Sequence, residues 1–575
     1  MSAFPKMRQK WLLVFLVAYG HLIGANPIVS GNSTLTEFII IHNNDMHARF
    51  EQVNKNGGAC TPKDANRDKC FGGFARVAHV VRKYREEAKN GGIAALYLNA
   101  GDTYSGTVWF TVFKDQITST MLNKLHPDAM CLGNHEFDQK IEGLVPFLND
   151  VNFPVLVSNV DFSKEPELVA TNKLSNSTIL EVNGTKVGVI GYLTPKTKED
   201  YINKVEFSEE IVSINAEAQR LKDQGVNIII ALGHSGYQKD QEIARDCPDI
   251  DIVIGGHSHT HLDSNQPVAD KDDTNPEAVR GPYPTTVVQP SGKKVLVVQA
   301  YTSTKYLGKL RVQFDANGDL IKFDGEPLLL DASVPQEQDF LDLLDVYRPN
   351  ITALGEQIIG HTKVYLEGGN MCRLRECNLG NMIADSMVHT RMLENKGGEY
   401  WTDAAIALIS GGGIRTSISK NAEGSITFRD MSETIPFENR LFVTRITGKT
   451  LLNALELSAS IRNRDSNGGF QQLSGIRVEY NYDMEEGHRV TSAQIRCAEC
   501  SVPSYLNLNE SAYYKAIVPE FLLNGGDGFQ LIESNDPFTE LLEHDDKGAL
   551  QQYLQGTHFV YPAIEGRIVI KNSIK

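Results

Sequence analysis

The stretch FIIIHNNDMH at residues 38–47 places an apolar run directly before a group of polar side chains. The run at 38–41 predicts a β-strand, and Asp45 and His47 follow it closely. Because residues i and i+2 of an extended segment point the same way, these two side chains can hold one metal ion together. Open α/β sheets place their ligand sites at such strand ends.

Four more polar groups follow apolar runs farther along the chain: NAGD at 99–102, GNHEFD at 133–138, GHS at 233–235 and GGHSH at 255–259. One such group alone is weak evidence, since a lone Asp or His in a loop usually caps a turn or is solvated. Five groups that mix carboxylate, imidazole and amide ligands without thiolate favour two divalent ions bridged by one carboxylate. Such ions keep coordination positions open for water and substrate, and this arrangement predicts a hydrolytic site.

The apolar runs alternate with amphipathic stretches, of which 74–89 and 208–223 have helical spacing. This alternation predicts a layered α/β architecture. The remaining runs of this region lie at 94–98, 155–157, 187–190, 228–232 and 252–254.

Two domains are expected, because 575 residues exceed what one hydrophobic core supports. A helical pattern at 335–355 is the predicted linker between a first domain at 26–334 and a second at 356–575. The second domain again mixes strand and helix patterns, at 405–409, 441–446, 513–518 and 450–459.

The net charge limits the partners that the protein can bind over a broad surface. The chain has 56 Lys and Arg against 72 Asp and Glu, which gives −16. This excess of acid argues against nucleic acid and against an anionic membrane surface as partners. Any site for a polyanion must therefore be local.

The two ends of the chain predict a secreted, extracellular protein. Basic residues precede an apolar run at 11–18, and small residues follow, which indicates a signal peptide at 1–25. An uncleaved membrane anchor is the alternative, but the run is too short for a span. The last ten residues contain no hydrophobic tail that would direct a lipid anchor. Five glycosylation sequons agree with secretion: Asn32, Asn176, Asn183, Asn350 and Asn509.

The eight cysteines include three pairs that are close enough in sequence for local disulfides in an oxidising compartment. Zinc binding is an alternative for Cys497 and Cys500, but no second Cys/His pair follows at finger spacing. Cys131 and Cys247 have no assigned partner. The predicted pairs are Cys60/Cys70, Cys372/Cys377 and Cys497/Cys500.

In these five polar groups the sequence resembles the calcineurin-like metallophosphoesterases. The motif pattern of that family is Asp-x-His, Gly-Asp, Gly-Asn-His-Glu and two later His motifs. A narrower resemblance is to the 5'-nucleotidase/apyrase family, whose C-terminal motifs match GGGIR at 411–415 and NGGDGF at 524–529. It covers about residues 37–570. It implies a four-layer α/β/β/α catalytic domain that a linker helix joins to a mixed α/β nucleotide-binding domain.

The resemblance also implies a role for each matching residue of the catalytic domain. His135 and Asp138 match the catalytic dyad, in which the imidazole offsets charge that builds during phosphoryl transfer. Zinc is the favoured metal, and calcium, magnesium or manganese are alternatives. His259 stands where other members have Asn or Gln. One metal would be held by Asp45, His47, Asp102 and His259, and the other by Asp102, Asn134, His234 and His257.

In the second domain the resemblance implies a nucleotide pocket. Phe437 and Phe521 would sandwich the base, and Arg373 and Arg415 would bind phosphate through their planar forks. Asp527 would bind ribose hydroxyls. Ser410 replaces an Asn found in many members and would supply the polar contact to the base, and Arg49 is a weaker phosphate-binding candidate.

The leading functional prediction is hydrolysis of AMP to adenosine and phosphate, by attack of water activated by two metal ions. An apyrase that converts ATP and ADP to AMP is the alternative, and such an activity resembles that of secreted salivary members that oppose platelet aggregation. A cyclic phosphodiesterase, a UDP-sugar hydrolase or a nucleotide-sequestering binder without turnover are further alternatives. The expected partner is a nucleotide, and the protein is expected to be a monomer or homodimer.

Overall fold

The computed structural model describes residues 35–197, 204–270, 275, 277–395, 399–462, 468–533 and 538–572. The predicted signal peptide at 1–25 and the sequon at Asn32 lie outside these residues. From Leu35 onward the chain forms one compact unit.

Two large sheets form the middle of the first half of the chain. Its strands are β1 (Thr36–Asn43), β2 (Ala94–Asn99), β3 (Ala129–Cys131), β4 (Val155–Leu156), β5 (Val160–Asp161), β6 (Leu174–Ser175), β7 (Ser177–Val182), β8 (Thr185–Leu193), β9 (Glu206–Phe207), β10 (Ile228–His234), β11 (Ile252–Ile254), β12 (His261–Leu262), β13 (Val279–Gly281), β14 (Thr285–Val288), β15 (Lys294–Val298), β16 (Tyr306–Phe314) and β17 (Leu320–Leu329). One sheet has the order β17-β16-β1-β2-β3-β4-β6 and the other β14-β15-β11-β10-β8-β7. The predicted strand at 38–41 lies in β1, at the centre of the first sheet.

The side chains of β1 alternate between two cores, as the period of a strand requires. Phe38 and Ile40 pack toward the second sheet, whereas Ile39 and Ile41 pack into the core that contains the helices of the opposite face. Both faces of β1 are therefore covered, which explains its unbroken apolar run. Two further helices cover the outer face of the second sheet, through Leu221 and other apolar residues. The predicted four-layer α/β/β/α arrangement is confirmed.

Two helices of this half lie where the sequence patterns predict them. The helix Phe74–Lys89 has the predicted bounds. The one predicted at 208–223 begins at Glu210, because the Glu209 carboxylate caps it by accepting from the amide of Val212 at 3.2 Å. The helices are Pro62–Ala65, Phe74–Lys89, Val108–Leu125, Lys140–Asp150, Pro166–Thr171, Glu210–Asp223, Tyr237–Asp246 and the long helix Gln338–Gly355.

The second half is a mixed α/β structure, as predicted. Its strands are β18 (Ile358–His361), β19 (Ile406–Ser410), β20 (Ser425–Thr427), β21 (Arg440–Thr447), β22 (Gln471–Ser474), β23 (Ile476–Asn481), β24 (Val490–Arg496), β25 (Tyr505–Asn507), β26 (Tyr513–Pro519), β27 (Thr539–Asp545) and β28 (Ile568–Lys571). The larger sheets have the orders β22-β19-β26-β21-β27 and β25-β24-β23-β28. The helices are Asn378–Glu394, Phe428–Thr434, Gly448–Ile461, Glu520–Leu523 and Asp546–Gly556.

The buried cores divide near the predicted linker. The buried residues of two core clusters all lie at or before Ile351, and those of the other two all lie at or after Ile359. The domain bounds at 26–334, 335–355 and 356–575 remain a prediction that this division supports.

All three predicted disulfides are present, namely Cys60–Cys70, Cys372–Cys377 and Cys497–Cys500. Cys131 and Cys247 are buried thiols. The described sequon asparagines Asn176, Asn183, Asn350 and Asn509 are all exposed. No helix in the described part of the chain is long and apolar enough to span a membrane.

Candidate active site

Asp45 and His47 lie just past the end of β1. The extended geometry predicted for this pair is wrong, because the strand ends at Asn43 and both residues have positive φ, 50° and 48°. Their amides instead donate to the carbonyls of Gly101 and Asp102, at 3.0 Å each. This turn brings Nε2 of His47 to 3.7 Å from Oδ1 of Asp45.

Five of the seven predicted metal ligands share this left-handed backbone. Positive φ is uncommon in residues other than glycine and concentrates at functional sites. Asp and His adopt it more often than most residue types, but the sequence does not show which of them do so. They are Asp45, His47, Asp102, His257 and His259.

The ligand atoms of the predicted metal residues converge in three overlapping clusters. One contains Asp45, His47 and His259, and another contains Asp102, His234 and His257. Nε2 of His234 lies 2.9 Å from Oδ2 of Asp102, and Nε2 of His259 lies 3.2 Å from Oδ1 of Asp45. A third cluster of His47, Asp102 and His135 overlaps both.

The seventh predicted ligand also lies in this region. Oδ1 of Asn134 is 2.9 Å from Nδ1 of His257. The structure therefore brings all seven predicted metal ligands together.

The buried atoms of this region fit positively charged ions. Oδ2 of Asp45 accepts from Asn44 and from the amide of His257, whereas its Oδ1 has no hydrogen-bond partner within the described residues. Nδ1 of His234 donates to the carbonyl of Ala100 at 2.7 Å, which leaves the lone pair of Nε2 for another group. That Nε2 faces two carboxylate oxygens, at 2.9 Å from Oδ2 of Asp102 and 3.6 Å from Oδ1 of Asp45. Buried carboxylates that converge on one imidazole nitrogen require positive charge, which a metal ion between them can supply.

The pKa values of the histidines in this region also indicate a site for positive charge. Burial lowers the pKa of His234, but the charges of Asp102 and Asp45 outweigh it and raise the pKa to about 10. The buried carboxylates thus demand positive charge at this point. Burial and the neighbouring His234 lower the pKa of His257 to about 3, which keeps that imidazole in the neutral form that binds metal.

His135 and Asp138 form a pair next to the metal clusters. Nδ1 of His135 lies 2.9 Å from Oδ2 of Asp138, which also accepts a hydrogen bond from the Ser105 hydroxyl. Burial lowers the pKa of His135, but the charges of Asp138 and Asp102 outweigh this effect and raise it overall. The pair can therefore present a protonated imidazole.

A cavity of about 1090 Å³, called here the first cavity, opens beside this pair. His135 and Asn134 line it together with residues of the second half of the chain. The ring of Phe437 stacks on His135 with centroids 4.8 Å apart and planes at 5°. All six residues predicted to bind substrate line the same cavity: Arg373, Ser410, Arg415, Phe437, Phe521 and Asp527.

Glu136 is a residue whose role the sequence did not reveal, although it lies inside the GNHE motif. It is fully buried, and its two carboxylate oxygens accept from four backbone amides. These amides belong to Gly133, Asp102, Thr103 and Tyr104, at 2.6 to 3.2 Å. Glu136 thereby fixes the two loops that carry Asp102 and Asn134.

Arg49, the weaker phosphate candidate, does not line the first cavity. Its guanidinium donates to the carbonyls of Gly57, His47 and Gly106. These contacts indicate that Arg49 stabilises the loop that carries His47.

Comparison with known proteins identifies the class of enzyme to which this site belongs. Residues 38–261 match the family model of the calcineurin-like phosphoesterases, and residues 358–534 match that of the 5'-nucleotidase C-terminal domain. The fold and the ligand clusters thus define a metal-dependent phosphoester hydrolase that uses divalent metal ions.

The chain belongs to the 5'-nucleotidase family. It is 43% identical to "Protein 5NUC" of Lutzomyia longipalpis over 98% of each chain. An apyrase of Tabanus yao is 38% identical, over 89% of this chain and 90% of that protein. The crystal structure of a 5'-nucleotidase precursor from Thermus thermophilus has 33% identity and a TM-score of 0.81, over 93% of this chain and 100% of that one.

Proposed function

We propose that this chain hydrolyses AMP to adenosine and phosphate, with two divalent metal ions of which zinc is favoured. Asp102 would bridge the ions. Asp45, His47 and His259 would complete one site, and Asn134, His234 and His257 the other.

The observation that carries this proposal is the contact between Arg415 and His47. Nη2 of Arg415 lies 2.7 Å from Nε2 of His47, a predicted metal ligand. The predicted phosphate-binding arginine therefore lies directly at the metal clusters, with the aromatic part of the first cavity beside it. The Phe437 ring lies 5.5 Å from the Arg415 guanidinium and 4.8 Å from the His135 ring, and this short separation favours a nucleoside monophosphate.

The charge of the arginines supports an anionic ligand between them. Burial and the nearby charge of Arg415 lower the pKa of Arg373 to about 9. Two cationic forks that repel each other in one cavity are both stabilised by a phosphate that accepts hydrogen bonds from them.

The predicted catalytic and substrate-binding residues of the first cavity have distinct tasks in this proposal. The metal ions would polarise the phosphoryl group and the attacking water. His135 donates a proton from Nε2 to the leaving ribose oxygen, and Asp138 holds Nδ1 so that Nε2 faces the substrate. Phe437 and Phe521 bind the base, and Asp527 binds the ribose.

Phosphate release from AMP, ADP and ATP, measured with zinc, calcium, magnesium or manganese, tests the proposal. We expect AMP to have the highest kcat/KM. The apyrase relative supports ADP and ATP as a second candidate substrate class. Faster release from ADP and ATP than from AMP would establish that second activity and reject the first.

Phe521→Ala should raise the KM for AMP by about 5- to 150-fold, since stacking on one aromatic ring is worth about 1–3 kcal/mol per base. The kcat should change little, because the proposal assigns Phe521 to the base and not to the reacting phosphate. Phe521→Tyr keeps the ring and is the matched control. Steady-state kinetics checks both, and an unchanged KM in the alanine variant would remove Phe521 from the base site.

We also propose that the protein is secreted into the extracellular space. Three disulfides and four exposed sequon asparagines support this, because both features belong to the secretory pathway. Expression in insect cells tests it: the protein should appear in the medium and lose mass on treatment with an N-glycosidase. Retention inside the cells without glycan would reject the proposal.

A further inference from the structure

A second cavity, of about 1040 Å³, adjoins the first. The two share His259, Arg373 and Arg415, so one predicted metal ligand and both predicted phosphate-binding arginines lie at their common wall. Phe437 and Phe521 line the first cavity and not the second. Lys55 and Ser303 line the second and not the first.

The two cavities differ in charge. The lining of the first has three basic and three acidic residues, namely Lys196, Arg373 and Arg415 against Asp102, Asp527 and Asp546. The lining of the second has five basic residues and one acidic residue, namely Arg49, Lys55, Lys305, Arg373 and Arg415 against Glu367. Formal charges of 0 and +4 follow, so the second cavity favours a small anion more strongly.

Part of this positive charge is already matched inside the protein. Lys305 pairs with Glu277 at 2.5 Å, and Glu367 pairs with Arg375 at 3.1 Å. Within the described residues, Lys55 and Arg373 form no salt bridge. Lys55 is exposed, and Arg373 lies at the common wall. An anion that enters the second cavity can therefore interact with two unmatched cations.

We propose that the second cavity is a binding site and exit route for inorganic phosphate. This inference rests on the proposed hydrolysis of AMP. After hydrolysis the nucleoside still occupies the first cavity, next to its aromatic rings. The phosphate, held by Arg373 and Arg415, can move from the common wall into the second cavity without passing the nucleoside. The excess positive charge of that cavity attracts it.

The test compares inhibition by inorganic phosphate in the wild type and in Lys55→Glu. The metal-loaded full-length protein hydrolyses AMP, and adenosine formation is followed so that added phosphate does not disturb the readout. In the wild type, phosphate should inhibit in a mixed manner, since it can bind beside a nucleotide. In Lys55→Glu the inhibition constant should rise by about three- to tenfold, the effect of reversing one exposed charge near the anion. The KM for AMP should rise by less.

Lys63→Glu is the matched control, because Lys63 is also exposed and lines neither cavity. It should leave the inhibition constant unchanged. Calorimetric titration of phosphate into the metal-loaded protein saturated with adenosine should show binding in the wild type and weaker binding in Lys55→Glu.

Three results would overturn the inference: an unchanged inhibition constant in Lys55→Glu, an equal rise of KM and inhibition constant, or the same effect from Lys63→Glu. The first excludes Lys55 from the phosphate site, the second indicates a single shared site, and the third indicates a general effect of surface charge. A wild type that releases no phosphate from AMP would instead reject the proposed function.

Discussion

Replacing His135 by glutamine lowers the kcat for AMP by about 10²- to 10⁴-fold, the range that one positioned acid or base contributes. Glutamine fills similar space but cannot donate a proton from a cationic group to the leaving oxygen. The ring of Phe437 keeps its place in the first cavity, so the KM should change much less than kcat. Steady-state kinetics with AMP measures both constants.

Asp138→Asn separates positioning from proton donation. The Asp138 carboxylate lies 2.9 Å from Nδ1 of His135 and raises the pKa of that imidazole. An amide keeps one contact but loses the charge, so we expect a smaller loss of kcat, about 10- to 100-fold, as for other groups that orient a functional residue. Equal activity of His135→Gln and the wild type would exclude this pair from catalysis.

Replacing Glu136 by glutamine destabilises the protein by about 2–6 kcal/mol, because two buried amides lose their acceptor at about 1–3 kcal/mol each. Oε2 accepts from Gly133 and Asp102, and Oε1 accepts from Thr103 and Tyr104. A glutamine side chain presents an NH2 group to one of these pairs, so donors face donors. The loss is a large part of the total stability of a typical domain.

Urea unfolding measures this change, and Glu142→Gln is the control. Glu142 is exposed on the following helix, Lys140–Asp150, so its neutralisation should cost less than about 0.5 kcal/mol. A loss below about 1 kcal/mol in Glu136→Gln would show that Glu136 does not hold the loops in the way described.

Much of the catalytic half could be predicted from the chain because its pattern is local. A buried strand needs an unbroken apolar run, and the strand ends carry the polar residues, so β1, β2 and β10 and their ligands are visible in sequence. The helix Phe74–Lys89 has the predicted bounds for the same reason: its apolar face repeats at helical spacing.

The features that could not be predicted depend on contacts between distant segments. The positive φ of Asp45 and His47 comes from amides that pair with the loop of Gly101 and Asp102, more than fifty residues away. The contact between Arg415 and His47 spans 368 positions. The local sequence around either residue does not indicate which distant residue it will contact.

The sequence by itself determined the layered α/β class, the motifs of the predicted metal ligands, the predicted His135/Asp138 pair and the three local disulfides, because each depends on residues close together along the chain. Only the tertiary structure decided that the seven predicted ligands and two arginines meet in one region, that Glu136 holds two loops at once, and that a basic second cavity lies beside the first. These features arise where loops from both halves of the chain pack together. Such contacts between distant segments depend on the whole fold and not on the sequence around any one residue.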